Sequence, residues 1–180
     1  MEYIDIYDKN AIKLERKEDK ELVHKNGLLH KTIHLWIIND KNELLLQRIS
    51  YDNKRYPGKL EISVAGHIRS GENSVDAIQR ETFEEIGIKI NTYFLEYLFS
   101  YKHKRIMGDI YINNEISDVY LYRYNVNIDE CSFNDKAVCE LKYVDWKKVE
   151  QMWKNKDKEL IDHEEHYEIL FCMLRKYIIN

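Results

Sequence analysis

The sequence has few of the residues that interrupt a compact fold. It contains one proline, Pro57, and six glycines in 180 residues, and no Pro/Gly-rich linker, repeat or low-complexity stretch divides it. This absence predicts one domain over residues 1–180, with a strand and loop extension over about residues 1–30 and a C-terminal helix over about residues 158–178.

Cysteines and long apolar runs are also scarce. Cys131, Cys139 and Cys172 are odd in number and lack C-x-x-C spacing, so neither a zinc site nor a disulfide framework is supported and reduced thiols are expected. No apolar run reaches transmembrane length, and the acidic start MEYIDIYDKN is unlike a signal peptide. The net charge of −4 gives no general case for binding nucleic acid or membrane. The sequence predicts a cytoplasmic protein with small-molecule partners and leaves the oligomeric state, a homodimer included, open.

Apolar and polar residues alternate in several short segments that predict strands. These segments are residues 3–7, 32–38, 43–47, 60–65, 93–101, 116–126 and 140–144. Residues 13–27 are charged and are predicted to form a loop or a short helix, residues 49–59 form a polar loop, and Asp145 can cap a helix. A mixed sheet with helices on both faces follows, which is an α/β (α+β) fold.

The most informative stretch is residues 66–88, GHIRSGENSVDAIQRETFEEIGI. Asn73 or Ser74 can cap a helix, and Gly87 stands where a left-handed C-terminal cap is expected, which predicts a helix over about residues 74–86. Its predicted apolar face consists of Val75, Ile78, Thr82, Phe83 and Ile86. The remaining surface gathers three carboxylates, those of Glu81, Glu84 and Glu85.

Carboxylates this close repel one another, and a divalent cation such as Mg2+ would turn the repulsion into attraction. The alternative is a solvated acidic face, which is what most charge runs are. Gly66, Glu72, Arg80 and Gly87 stand at fixed spacings around the three acids, and this register favours the metal site.

This register resembles the signature of the Nudix hydrolases, G-x5-E-x7-R-E-U-x-E-E-x-G-U, where U is a bulky aliphatic residue. Eight of the nine specified positions match, and Thr82 is the exception. The resemblance implies an α/β/α sandwich with a mixed sheet and the hydrolysis of a diphosphate bond. It also implies that Glu81, Glu84, Glu85 and the carbonyl oxygen of Gly66 hold Mg2+ or Mn2+. Glu72 and Arg80 would order the loop and helix through an ion pair.

Residues from about 29 to 146 also resemble the isopentenyl-diphosphate isomerases, a branch of the same fold. The segments that carry this likeness are LLHKTIHLWIINDKNELLLQRIS, YPGKLEISVAGH and INNEISDV. His30, His67 and Glu115 fall where the isomerases place ligands of a metal site. Ala65 stands where they need a thiol, and Asn113 where they place another metal-binding carboxylate. We therefore interpret the chain as an isomerase-like scaffold with a hydrolase site, the alternatives being an isomerase or a metabolite-binding regulator without turnover.

Several residues outside the motif are candidates for substrate contacts. Arg48, Lys54 and Arg55 could meet the substrate's phosphates, although loop cations are usually just solvated. The basic run at residues 102–105 is predicted to be a solvated turn, and His34 to be structural. The residues that select the substrate are expected on loops 49–59 and 100–115.

The motif does not identify the general base. Glu81 and Glu115 are the two candidates, and Glu140 is a weaker third. A carboxylate that binds a cation is a poor proton acceptor, because the cation lowers its pKa. If Glu81 is a ligand, Glu115 should therefore be the base.

Overall fold

The computed structural model describes residues 1–107, 111–132, 137–163 and 165–179. Its strands are β1 (Tyr3–Tyr7), β2 (Lys13–Asp19), β3 (His30–Ile38), β4 (Glu43–Ile49), β5 (Leu60–Glu61), β6 (Val64–His67), β7 (Leu95–Met107), β8 (Tyr111–Arg123) and β9 (Val138–Asp145). Its helices are α1 (Lys20–Asn26), α2 (Ser74–Ile86), α3 (Trp146–Lys154) and α4 (Glu165–Ile179), with short 3-10 turns at Thr92–Phe94 and Ile128–Glu130.

The main sheet is mixed. Its strands run in the order β5-β4-β3-β8-β7, while β6 pairs with β3 and β9 pairs with β4. The central pair, β3 and β8, is parallel, and its register places His30 beside Glu115. The β3–β6 register places Thr32 beside His67. These two registers bring distant parts of the chain to one end of the sheet.

Strand β3 separates two cores because successive side chains of a strand point to opposite faces. Ile33, Leu35 and Ile37 pack on one face with apolar residues of α2. Trp36 and Ile38 pack on the other face with apolar residues of α3 and α4. The predicted mixed sheet with helices on both faces is confirmed.

Helix α2 spans the residues that the motif predicts. The Asn73 side chain accepts hydrogen bonds from the backbone N–H groups of Val75 and Asp76, and Gly87 ends the helix at a φ of 75°. Thr82, the exception in the motif, is buried, and its hydroxyl donates to the carbonyl of Ile78 at 2.6 Å. A threonine is tolerated at this apolar position because the helix itself satisfies the hydroxyl.

The prediction that Phe83 belongs to the buried face of α2 is wrong. Its side chain is 53% exposed, and Lys89 Nζ lies 5.8 Å from its ring centroid. The helix packs instead through a narrower stripe that consists of Ala77, Ile78, Thr82 and Ile86. The face of α2 that packs on the sheet is narrower than the arc of apolar residues in its sequence, because only the centre of that arc touches the sheet.

The segment at residues 13–27 is a strand followed by a helix. Strand β2 pairs with β1, and its mostly exposed, charged residues lack the apolar alternation that predicts a strand. Helix α1 follows at once, with the Asp19 side chain accepting from Glu21 N and Gly27 ending the helix at a φ of 60°. The predicted loop or short helix included the possibility of α1, and the strand was missed.

Two further boundaries differ from the predictions. The last helix begins at Glu165 rather than near residue 158, because Glu159 and Ile161 hydrogen-bond to the backbone of Leu60 on β5. Residues 100–115 are mainly the paired strands β7 and β8 rather than a loop, and residues 108–110 of that range lie outside the described residues. No helix in the described ranges is both long and apolar enough to cross a membrane.

Candidate active site

The backbone of β6 holds two of the three motif carboxylates. Gly66 lies so close to Glu81 that a Cβ at position 66 would overlap the Glu81 carboxyl group. The backbone N–H of Ala65 donates to the Glu85 carboxylate, and Gln47 Nε2 lies 3.5 Å from Glu85 Oε2. A larger residue at position 66 would therefore displace the Glu81 carboxyl group from this position.

Arg80 connects the loop of the motif to its helix. Its Nε and Nη2 atoms each donate to Glu72 at 2.8 Å, and Nη2 also donates to the His67 carbonyl at 2.8 Å. Its Nη1 donates to Glu81 at 2.6 Å, while Glu72 accepts from Arg69 N at 2.9 Å. The bidentate ion pair between Arg80 and Glu72 orders the loop, and the bond from Arg80 to Glu81 fixes the orientation of the Glu81 side chain.

Arg69 and Arg80 form ion pairs with Glu84, and Arg80 also with Glu81, but Glu85 has no such pair among the described residues. Burial raises the pKa of Glu85 to about 8, with the negative charge of Glu81 contributing. Burial also raises the pKa of Glu81, and Glu84 adds to the effect although Arg80 opposes it. Gln47 carries a buried Oε1 atom with no partner among the described residues. Carboxylate and amide oxygens such as these are the ligands that a hard divalent cation prefers.

A second cluster lies next to this one and is rich in histidine. His24, His30, His67 and Glu115 each present one ligand atom, and all four atoms lie within 4.8 Å of one another. The four residues come from α1, β3, β6 and β8. The sequence resemblance grouped His30, His67 and Glu115 and missed His24, because nothing in the charged segment KELVHKN marks that histidine as a ligand.

The hydrogen bonds of the histidines direct their free nitrogens towards one point. His30 Nδ1 lies 2.9 Å from the Leu28 carbonyl and His24 Nδ1 lies 3.4 Å from the Ile112 carbonyl, so both Nδ1 atoms are donors and both Nε2 atoms carry lone pairs. His30 Nε2 is buried without a hydrogen-bond partner in the described part of the chain, and it lies 3.6 Å from Glu115 Oε1. His24 Nε2 and His67 Nε2 are 2.9 Å apart. A cation between these atoms would satisfy all of them at once.

The ionisation of this cluster suits a cation. Burial lowers the pKa of His24 to about 4 and the pKa of His67 well below its ordinary value. Burial alone would raise the pKa of Glu115, but the imidazoles of His103, His30 and His67 around it hold that pKa well below its usual range. Near neutral pH His24 and His67 are therefore neutral and Glu115 is ionised, which are the protonation states of metal ligands.

A cavity of about 270 Å³ opens beside both clusters. Its described lining is Thr32, His34, Tyr56, Glu61, Ala65, Gly66, His67, Tyr101, His103, Lys104, Arg105, Asn113, Glu115, Ile161, His163 and Glu165. Gly66 joins the cavity to the motif, while Glu81, Glu84 and Glu85 are not among these lining residues. The predicted solvated turn at residues 102–105 is wrong, since these residues belong to β7 and three of them line the cavity.

The three cations suggested for phosphate binding do not come together. Arg48 Nε lies 2.5 Å from Glu140, its Nη2 lies 2.7 Å from Glu159, and its Nη1 donates to the Gly58 carbonyl at 2.7 Å. These bonds give Arg48 a structural role, since they connect the end of β4 to Gly58, Glu140 and Glu159. Lys54 is exposed, and the guanidinium of Arg55 stacks 3.5 Å from the ring centroid of Tyr111.

Comparison with known proteins agrees with the motif. The family model of the NUDIX domain matches residues 28–165. The chain belongs to the Nudix family. This Nudix protein is 30% identical over 181 residues to Nudix hydrolase 3 of Arabidopsis thaliana, an alignment that covers 97% of this chain and 23% of that protein. The chain thus spans less than a quarter of that relative's length.

Two other comparisons concern the resemblance to the isopentenyl-diphosphate isomerases and the fold. The isopentenyl-diphosphate Delta-isomerase of Klebsiella pneumoniae is 28% identical over 117 residues, which covers 65% of this Nudix protein and 61% of the isomerase. The crystal structure of DR0079 from Deinococcus radiodurans superposes with a TM-score of 0.70 at 16% identity, covering 95% of this chain and 99% of that one. The predicted family and its partial similarity to the isomerases are confirmed.

Proposed function

We propose that this Nudix protein is a metal-dependent hydrolase that cleaves a diphosphate bond in a nucleoside-diphosphate-linked or related small molecule. The observation that carries the proposal is the packing of Glu81 and Glu85 against the backbone of Ala65 and Gly66, with the pKa of Glu85 raised to about 8. Burial and the repulsion between Glu81 and Glu85 both disfavour ionised carboxylates here. Carboxylates that are nevertheless kept in this position indicate a cation site, since the side chains of a solvated acidic face would be free to separate. The family to which the chain belongs supports the same chemistry.

The residues of the chain have distinct parts in this proposal. Glu81, Glu84, Glu85 and the Gly66 carbonyl hold Mg2+ or Mn2+, and Gln47 and Arg80 hold the carboxylates in place. When bound, the metal supplies Lewis acidity to the phosphoryl oxygens and stabilises the leaving phosphate. Lys104 and Arg105 add positive charge at the cavity, where the substrate's phosphates enter.

The proposal is tested by a screen of diphosphate compounds with Mg2+ and Mn2+ in isotopically labelled water. We expect phosphate or nucleotide products that depend on metal, and the label shows which phosphorus the water attacks. Tight binding of a compound without product at any metal concentration would contradict the proposal and favour a metabolite-binding regulator.

We also infer that the cluster of His24, His30, His67 and Glu115 binds a second divalent cation. Three nitrogens and one carboxylate suit Mn2+ or another first-row transition metal better than Mg2+, which prefers oxygen ligands. The expectation from sequence made Glu115 the general base. Its place among three histidines instead favours Glu115 as a ligand, and because Glu81 is a ligand in this proposal as well, the role of general base is assigned to neither residue.

Replacement of Glu115 by glutamine separates these two roles. If Glu115 is a ligand, the variant should bind Mn2+ about 10- to 100-fold more weakly, and high Mn2+ should restore most of its rate. His24→Asn should behave in the same way, because it removes another member of the cluster. Titration calorimetry and steady-state rates provide the two measurements. A rate that stays low at saturating metal, with the affinity unchanged, would make Glu115 the base.

Isopentenyl-diphosphate isomerisation is the second candidate function, because the histidine cluster matches the resemblance to the isomerases. Ala65 lines the cavity at the position where those enzymes need a thiol, and a methyl group cannot transfer a proton. We expect no allylic product from the natural protein and a low but measurable amount from Ala65→Cys, determined by chromatography of the products. Turnover of the unchanged protein on the order of 1 per second would overturn the hydrolase proposal.

A further inference from the structure

The N-terminal hairpin of β1 and β2 lies against the loop of the motif. The backbone N–H of Ser70 donates to the Tyr3 carbonyl at 2.8 Å, and Ile4 and Arg69 form an antiparallel bridge. The motif loop therefore pairs with β1, although the hairpin lies outside the segment that matches the NUDIX domain. The proposed chemistry gives this contact no part so far.

Asp5 is the residue of β1 that binds this loop with its side chain. Its Oδ1 accepts from the Ser70 hydroxyl at 2.8 Å, and its Oδ2 accepts from the backbone N–H of Gly71 at 3.1 Å. Lys13 on β2 supplies the opposite charge, with its Nζ 2.5 Å from Oδ2. Burial would raise the pKa of Asp5, but the bonds from Lys13, Ser70 and Gly71 outweigh it and hold the pKa below its ordinary value. Asp5 therefore meets the loop as a carboxylate.

The hairpin offers a fixed base for this carboxylate. Ile4, Ile6 and Val23 form a buried cluster of their own. Asp5 lies between the two isoleucines in β1, and the alternation of a strand directs its side chain to the opposite face. A carboxylate on an anchored strand can hold a loop in place, whereas one on a frayed terminus cannot.

The amide that Asp5 binds lies in a tight turn just before Glu72. Gly71 has a φ of 85°, a left-handed conformation that favours glycine. On the other side of the turn, Glu72 N donates to the Arg69 carbonyl at 3.0 Å, and Arg69 N donates to Glu72 Oε2 at 2.9 Å. Because Glu72 follows Gly71 directly, a turn that is fixed at the Gly71 amide also fixes the direction in which the Glu72 side chain leaves the backbone.

The Glu72 carboxylate continues the connection to the carboxylate cluster. It accepts two hydrogen bonds from Arg80, whose Nη1 donates to Glu81 at 2.6 Å. The side chains of Glu72, Arg80 and Glu81 are only 13–15% exposed, so these charge-assisted bonds are better shielded from water than surface ion pairs. A displacement of the turn is therefore passed on to Glu81, one of the proposed ligands of the cation.

We propose that Asp5 is a positioning residue for the cation site of the motif. It acts on Glu81 through the Gly71 turn and the Glu72–Arg80 ion pair. The inference rests on the proposed function, because that function places a divalent cation at the three motif carboxylates. Asp5 has no hydrogen bond or ion pair with those carboxylates in the described part of the chain. It holds the turn so that the ligands need little rearrangement when the cation binds.

Titration calorimetry with Mg2+ alone, without substrate, tests the inference on Asp5→Asn. Mg2+ is the probe because it prefers the oxygen ligands of the motif to the histidine cluster. The variant keeps the shape of the side chain but loses its charge and presents an NH2 group to one of the two loop donors. We expect Mg2+ to bind about 5- to 10-fold more weakly, less than the loss of about 10- to 100-fold for a direct partner of a metal ligand, because Asp5 acts at one remove. An unchanged affinity overturns the inference.

Asp8→Asn is the matched control. Asp8 is also an aspartate of the hairpin that accepts from two backbone N–H groups, those of Asn10 and Ile12. These bonds lie within the turn of the hairpin itself, so the control weakens the hairpin without removing a contact to the motif loop. It should lower the melting temperature and keep the affinity for Mg2+. A loss of affinity as large as that of Asp5→Asn would show that only the stability of the hairpin matters, and would overturn the inference.

Hydrogen exchange of the Gly71 amide provides a readout that a general loss of stability does not reproduce. NMR should show this amide exchanging about 10-fold faster in Asp5→Asn, since it loses a hydrogen bond to a charged group, and at its natural rate in Asp8→Asn. Natural exchange in Asp5→Asn contradicts the inference. If Asp5→Asn does not fold, Ser70→Ala, which removes the hydroxyl donor to Asp5, takes its place in the Mg2+ titration, and an unchanged affinity then has the same meaning.

Failure of this inference can be told apart from failure of the proposed function. Equal binding of Mg2+ by the natural protein and Asp5→Asn, together with hydrolysis of a diphosphate compound, contradicts the inference alone. Weaker binding in Asp5→Asn, without hydrolysis by the natural protein, contradicts the hydrolase proposal alone. A natural protein that binds no Mg2+ contradicts both. Where hydrolysis is found, high Mg2+ should restore most of the rate of Asp5→Asn, because the motif carboxylates are intact.

Discussion

Replacement of Glu85 by glutamine is expected to lower the turnover of a diphosphate substrate by about 10³-fold or more, on the order of 4 kcal/mol in the barrier. The amide keeps the shape of the side chain and its contacts with Ala65 and Gln47, but it removes a negative charge that the metal needs. Glu84→Gln should act in the same direction. Steady-state rates at saturating Mg2+ provide the measurement.

Two controls show whether a loss of rate is due to the missing carboxylate rather than to unfolding. Circular dichroism and the melting temperature must show that the variants stay folded. Gln79→Ala changes an exposed residue of the same helix and should keep the full rate. Full activity in Glu84→Gln or Glu85→Gln, with unchanged metal dependence, would refute the assignment of the carboxylate cluster.

The stability of the metal-free protein is expected to fall as the pH rises from 7 towards 8. The pKa of Glu85 is about 8 in the folded protein, against an ordinary 4.5, because of burial and the charge of Glu81. The folded state therefore keeps a proton that the unfolded state has already lost. This stabilisation is complete below about pH 4.5 and disappears as the pH rises through 8, at a rate of about 1.4 kcal/mol per pH unit.

Mg2+ should remove this trend, because it replaces the proton on the carboxylates. Melting curves from pH 7 to 9 with a chelator should show a loss of about 2–4 °C between pH 7 and pH 8, while curves with Mg2+ should not. His24 and His34 act in the opposite direction, because their folded-state pKa values are lowered to about 4 and about 3, but most of their effect is complete once the pH has passed the ordinary histidine pKa of about 6.5. Glu85→Gln should abolish most of the pH dependence. A chelated protein equally stable from pH 7 to 9 would contradict the raised pKa.

The sequence predicted the parts of the site that depend on local spacing. Helix α2, its Asn73 cap and its Gly87 end follow from short-range chemistry, and the structure has them at the predicted residues. The burial of Thr82 also followed from the periodicity of apolar residues. The exposure of the neighbouring Phe83 did not, because periodicity does not give the width of the helix face that contacts the sheet.

The rest of the site depends on contacts that no local pattern contains. His24 meets His67 because a charged hairpin and a short helix fold over the end of the sheet. Glu61 and His163, which both line the cavity, form an ion pair although they are 102 positions apart, because the chain before α4 runs along β5. Single histidines and glutamates in such segments look like ordinary surface residues, so their roles become visible only in the folded chain.

The position of His24 has an evolutionary consequence. The segment that matches the NUDIX domain begins at residue 28, after α1, whereas the other three members of the histidine cluster lie within it. A lineage could therefore gain or lose the fourth member by changes in the first 27 residues alone, without altering the helix that carries Glu81, Glu84 and Glu85. The N-terminal hairpin and α1 thus supply one proposed ligand of the second cation from outside the segment that matches the family model.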